Sequence, residues 1–237
     1  MKEYAATLSI VLLFSLLLFS GFNHISAEIS DVKASLTVKE QPVVILDAGH
    51  GGEDGGAVAF DGTVEKDLNL SFTRKIALFF EILGIDYYCI RTTDISVGDT
   101  SLDTIRQRKV SDIKMRESII NSYDNPIFLS IHMNNFSIEK YSGTQVFFGR
   151  LNESSAILAE FIQDTVRSQL QPENNRKIKE ATDDIYLLYN SEAPAVMVEC
   201  GFLSNIEELN KLKADDYQLK LSYCIADAVL TYLNQRN

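Results

Sequence analysis

The sequence predicts an α/β fold: a single domain on a mainly parallel, twisted sheet of about six strands, covered by helices on both faces. Three observations carry this expectation. Short β-branched runs alternate along the chain with segments whose apolar residues recur every three or four positions. No internal repeat, low-complexity tract or second composition shift interrupts residues 43–237. The chain has 237 residues, 46% hydrophobic and 23% charged, enough to bury one real core without staples. Its three cysteines cannot form a multi-bridge framework.

Val43 to Asp47 is a β-branched run that stops at glycines, hence a strand. From Glu65 the period changes: Leu68, Phe72, Ile76, Phe79 and Leu83 recur at three and four, which predicts an amphipathic helix over Glu65–Leu83, stopped by Gly84. Ile85–Arg91 is strand-like again, and a polar stretch then leads to a helix containing Arg116 to Asn121. Strands follow at Ile127–His132 and Thr144–Phe148, then a helix around Ser154–Leu170 and a polar loop over 171–183. Ala195–Cys200 is a strand ending at Gly201. The chain closes with a helix from Tyr217 to Leu233, carrying Leu221, Ile225, Ala228, Val229 and Tyr232 on one face. Strands alternating with helices imply right-handed crossovers, and in such sheets ligands bind at the carboxyl ends of the strands.

Charge and the N-terminus bound the function. The net charge of -11 argues against nucleic acid as a partner, because a phosphate-binding groove needs surplus Lys and Arg. Lys2 precedes an uncharged apolar run from Ala5 to Phe22. Eighteen residues in a helix span about 27 Å, close to a bilayer core. Residues 1–27 therefore read as a signal peptide, with Ser26-Ala27 a candidate cleavage point, or as an uncleaved membrane anchor. Either reading puts the rest of the chain outside the cytoplasm, membrane-associated or secreted. Residues 28–42 are polar, end at Pro42 and read as a tether; residues 43–237 read as one folded domain.

Of three histidines, His24 lies in the targeting segment, leaving His50 and His132 in the domain. His50 follows the first strand, His132 closes another, Glu199 ends a third, and Glu65 opens the helix reached from the first. The predicted topology delivers all four to one sheet edge. Hydrolytic zinc takes three protein ligands, commonly two His and a carboxylate, and leaves a fourth position to water, whose pKa falls to about 7. A further carboxylate can accept the water proton and pass it to a leaving amine. A histidine ending a strand can equally be a hydrogen-bonded structural residue, and no HExxH motif is present, so spacing alone leaves both readings open. Glycines 49, 51, 52, 55 and 56 would let the backbone approach a metal or ligand closely. The GxGxxG spacing of a pyrophosphate site is absent. Asp47 could orient a ligating His or cap the strand end. Arg116 and Asn121 read as fixing loop structure, and strand alternation turns Cys200 away from Glu199 into the core.

Four segments carry a resemblance. DAGHGGEDGGA, VEKDLNL, LSIHMNN and PAVMVECGFLSN, in that order, resemble the signature segments of the zinc-dependent N-acetylmuramoyl-L-alanine amidases (the amidase-3 family) and span nearly all of residues 43–237. Carried over residue by residue, the resemblance implies that His50, Glu65 and His132 ligate zinc and that Glu199 is the catalytic carboxylate. It implies a peptidoglycan substrate, cut at the amide between N-acetylmuramic acid and the L-alanine of the stem peptide. Only Asn134 to Ser142 separates the second His strand from the next, leaving no room for the inserted helix of cell-division members, and wall-binding repeats are absent. YSGTQVFFGR and IYLLYNSEAPAVMVECGFLSN look most like the sporulation and germination subgroup, which implies action on spore cortex, in the forespore intermembrane space, to allow muramic-lactam formation. A peptidoglycan-binding protein without catalysis, or a zinc peptidase cutting within the stem peptide, are the alternatives. The resemblance leaves room for an accessory protein and fixes no oligomeric state.

Overall fold

The computed structural model describes residues 42–236. The predicted N-terminal segment at 1–27 and the tether at 28–42, Pro42 excepted, lie outside the described residues. Among the described residues six strands form one sheet: β1 (Val43–Ala48), β2 (Tyr87–Cys89), β3 (Pro126–Asn134), β4 (Gln145–Phe148), β5 (Lys179–Glu180) and β6 (Ala195–Phe202). The helices are α1 (Glu65–Leu83), α2 (Ile105–Asn121), α3 (Glu153–Gln169), α4 (Tyr186–Tyr189), α5 (Ile206–Lys213) and α6 (Asp215–Arg236).

The strand order is β2-β1-β3-β6-β4-β5. The first four strands are mutually parallel, whereas β4 runs antiparallel to β6 and β5 runs parallel to β4. The fold is therefore the expected α/β sheet, with two reversed strands at one edge.

Strand alternation divides the core in two. Val44, Leu46, Leu129, Ile131, Val198 and Cys200 turn to one face, where they pack with apolar residues of α1, α3, α5 and α6. Ile45, Phe128, Ala195 and Met197 belong to the other, where Ile90, Ala181, Ile120 of α2 and Leu188 of α4, with partly buried neighbours, cover them. The first face is a thick oily layer. The second is thinly roofed, and the functional side chains lie there. The three cysteines are free, with Cys200 buried in the thick layer.

Some elements escaped the sequence pattern for physical reasons. The helix predicted only around Arg116–Asn121 begins at Ile105, closed by a capping box in which Thr104 Oγ1 accepts from Gln107 N and Gln107 Oε1 accepts from Thr104 N. It buries only Arg116 and Ile120, so it has no apolar periodicity to read. The predicted loop over 171–183 contains the exposed two-residue β5, too short for a period. The short α4 and α5 were not expected, although Asn205 caps α5 by accepting from Glu208 N.

Candidate metal centre

The thin face and the strand ends meet in a cavity of about 510 Å³. Register places Asp47 beside Ser130, and His132 beside Glu199. All four side chains share the thinly roofed face, and His50 and Glu65 reach the same space from the loop after β1 and the start of α1.

His50, Glu65 and His132 converge so that their ligand atoms all lie within 4.8 Å of one another. Glu65 Oε1 is 3.0 Å from His132 Nδ1 and 3.3 Å from His50 Nε2. The two rings meet edge to face, with centroids 4.9 Å apart. Glu65 is buried, and its carboxylate is further held by Ala57 N (2.8 Å to Oε2), Met133 N (3.1 Å to Oε1) and Asn69 Nδ2. Burial alone would raise its pKa, but the His132 and His50 hydrogen bonds outweigh that and hold it well below the carboxylate range.

His50 is a non-glycine residue with φ of 62°, in the left-handed region. Its Nδ1 lies 2.9 Å from Asp54 Oδ2. A carboxylate only accepts, so Nδ1 carries a proton, and Nε2 is turned toward Glu65. Burial opposes charge on this ring, but the bonds to Asp54 and Glu65 win and raise its pKa to about 9. Asp54 is itself held by Lys109 Nζ of α2 at 2.7 Å. Two glycines here are steric necessities: a Cβ on Gly49 would collide with the His132 ring, and one on Gly56, where φ is 67°, would stand 2.5 Å from Glu65 Oε2.

Glu199 stands apart from this cluster. Its Oε2 is buried with no hydrogen-bond partner. Burial pushes its pKa up to about 7, the nearby Glu65 adds to the rise, and the two imidazoles pull against it. A buried carboxylate poised near neutrality is suited to proton transfer.

Buried arginines hold the frame. Arg116 pairs with Asp47 and with Asp112 Oδ2 (2.6 Å), and donates to His50 O at 2.8 Å. Asp47 also accepts from Ser130 Oγ at 2.7 Å. Asp47 therefore orients neither histidine; Asp54 supports His50 instead. Arg91, 1% exposed, donates to Ala48 O, Gly49 O and Lys66 O, tying the end of β1 to the start of α1. Asn121, the last residue of α2, does not line the cavity. Sequence reading missed Asp54, Asn69 and Arg91. Asp54 alone had a local signal, an acid four residues after His50 in a glycine turn.

The arrangement fits one divalent cation. Two imidazoles and a carboxylate are the donor set that hydrolytic zinc favours, and the unpartnered Glu199 oxygen lies in the same cavity.

Comparison with known proteins agrees with this chemistry. The family model described as N-acetylmuramoyl-L-alanine amidase matches residues 44–231. The germination-specific N-acetylmuramoyl-L-alanine amidase of Bacillus subtilis (strain 168) is 31% identical over 237 residues, covering 100% of this chain and 98% of that protein. Among solved structures, the CwlD amidase of Clostridioides difficile, in complex with the GerS lipoprotein, is similar at 38% identity and a TM-score of 0.77, covering 82% of this chain and 99% of that one. The amidase AmiC2 of Nostoc punctiforme is similar at 27% identity and a TM-score of 0.65, covering 81% and 97%. With matches of this extent, the chain belongs to the N-acetylmuramoyl-L-alanine amidase family and is similar to its germination-specific members.

Proposed function

We propose that this protein is a zinc-dependent amidase of spore cortex peptidoglycan, with His50, Glu65 and His132 as the metal ligands and Glu199 as the proton-transferring carboxylate. The observation that carries this reading is the buried, unpartnered Glu199 oxygen in the same cavity as a His-Glu-His cluster.

A bound zinc ion supplies Lewis-acid polarisation and an activated water at neutral pH. The chain's own groups do the rest. Asp54 fixes the His50 tautomer so that Nε2, the atom facing Glu65, is the donor atom. The backbone N–H groups of Ala57 and Met133 hold both oxygens of Glu65 in place. Glu199 accepts a proton from the attacking water and delivers it to the nitrogen of L-alanine as the amide bond breaks. Burial holds its pKa above the ordinary carboxylate value, which favours release of the proton to the departing amine. The products are a lactyl carboxylate on the sugar and a stem peptide with a free amino terminus.

Mass spectrometry of peptidoglycan treated with the purified, zinc-loaded protein tests the reaction. Stem peptides beginning with free L-alanine and peptide-free muramic acid are expected. Cuts confined to bonds within the stem peptide would make the enzyme a peptidase.

The cortex role rests on similarity over the whole chain to a germination-specific amidase. We place the catalytic domain outside the cytoplasm, delivered or tethered by residues 1–27, on the strength of their uncharged apolar run. The relative solved with a lipoprotein supports an accessory protein at that membrane surface. Deleting the gene should give spores that form but lack muramic lactam. Muropeptide analysis of purified spores measures this, and normal lactam content would exclude the cortex role while sparing the amidase reaction.

A further inference from the structure

The aromatic ridge on the β3–β4 loop has no part in the chemistry above. Phe136 is 50% exposed and Tyr141 37%, with ring centroids 5.4 Å apart, and Ile138 on the same loop is also exposed. An exposed apolar patch of this kind marks a binding surface when something fixes it in place. Here the loop is pinned to the turn after β6: Phe136 N donates to Ser204 Oγ at 3.2 Å, and Asn205 Nδ2 donates to Glu139 O at 2.9 Å. Beneath the ridge, Tyr141 approaches Phe202, over which the Arg176 guanidinium stacks at 4.4 Å. The rings are held before any ligand arrives, so little ordering entropy remains to be lost on binding.

Position and chemistry indicate the occupant. Asn134 and Asn135 line the metal cavity, and Phe136 follows them directly. Tyr141, at the far end of the loop, lines a second cavity of about 710 Å³ with polar walls, among them Asn175, Lys140, Glu173, Arg176 and Lys211. The ridge thus stands between two cavities on one edge of the sheet. Flat, exposed aromatic rings beside a polar cavity suit a hydroxyl- and acetamido-bearing sugar ring, whose apolar C–H faces stack on them and whose polar edges face the cavity. On the α2 side the metal cavity carries the ion pairs of Arg108 with Glu53 and Lys109 with Asp54, and its one aromatic ring there, Tyr186, is already covered by Lys114 Nζ at 4.3 Å. A metal cavity of about 510 Å³ is the size of a small-ligand site, whereas the substrate is a polymer.

We propose that Phe136 and Tyr141, with the polar cavity beyond them, form a glycan subsite that holds the N-acetylated hexosamine strand beside the metal cavity. This rests on the amidase reading above and adds a direction to it: the saccharide strand crosses the β3–β4 loop, and the stem peptide leaves toward α2.

The test compares kcat/KM on long glycan strands carrying stem peptides with kcat/KM on a single disaccharide-peptide, for wild type and for Phe136→Ala, Phe136→Leu, Phe136→Tyr and Phe136→Ala/Tyr141→Ala. Wild type should prefer the strand. The strand-to-fragment ratio should fall about fivefold to tenfold in Phe136→Ala and further in the double variant, the scale of an aromatic contact. Phe136→Leu keeps apolar bulk without a flat ring and should fall like alanine, while Phe136→Tyr should retain the ratio. An unchanged ratio in both the alanine and leucine variants, or no strand preference in wild type, overturns the subsite. A wild-type protein that cleaves neither substrate instead overturns the amidase reading, so the two failures are distinct.

Discussion

Replacing His50, Glu65 or His132 with alanine should strip the purified protein of zinc. The site offers three ligand atoms from three different elements, all within 4.8 Å of one another, so no spare donor can take over. Loss of Glu65 carries a second penalty. Its carboxylate accepts from Ala57 N and Met133 N, and removing it leaves those donors without their partner. Asp54 provides the graded control. It touches no metal and acts through the His50 ring, so Asp54→Asn and Asp54→Ala should weaken zinc binding only about 10–100-fold. Chelator competition on folded protein reads both effects. Stoichiometric zinc in all three alanine variants would refute the ligand set, and an Asp54 variant as deficient as His50→Ala would make Asp54 a ligand.

What the sequence disclosed of this site, and what it withheld, follows from the range of each interaction. Helix α1 was legible to its last residue because its buried stripe repeats with the helical period and Gly84 ends it in the left-handed conformation. The convergence of His50, Glu65, His132 and Glu199 could be read because parallel strands carry their carboxyl ends to one edge, so residues closing separate strands become neighbours. The roof of the cavity could not be read that way. Helix α2 is attached by polar contacts, through Arg116 to Asp47 and His50 O, Lys109 to Asp54 and Arg108 to Glu53, and such contacts leave no period in the sequence. The same holds for Arg91, whose partners are backbone carbonyls up to 43 positions away. Asp47 shows how a local reading misassigns a residue: it points at the right face, but the buried guanidinium of Arg116 claims it before either histidine can.

Glu199→Gln should separate chemistry from structure. The amide keeps the shape of the side chain and removes only its capacity to take a proton, so zinc content should remain and activity should fall about 10²- to 10⁴-fold. The pH profile adds a sign. A base works only when ionised, so wild-type kcat/KM should fall as pH drops through the Glu199 pKa, and a dication in the cavity would move that limb below the value of about 7 that burial sets. The variant should lack this limb. Stability should move the other way. The folded-state pKa lies above the ordinary value of 4.5, so ionising Glu199 opposes folding, and wild-type stability declines as pH rises from about 4.5 through 7. Zinc-stripped Glu199→Gln carries no such charge and should melt higher than zinc-stripped wild type at pH 8, with the difference vanishing near pH 4. A variant that lost its zinc would make Glu199 a ligand, and one that kept full activity would pass the proton-transfer role to another group. A variant that is inactive though zinc-replete, and more heat-stable than wild type at pH 8 once both are stripped of zinc, is the result expected of a buried carboxylate whose ionisation costs stability and serves catalysis.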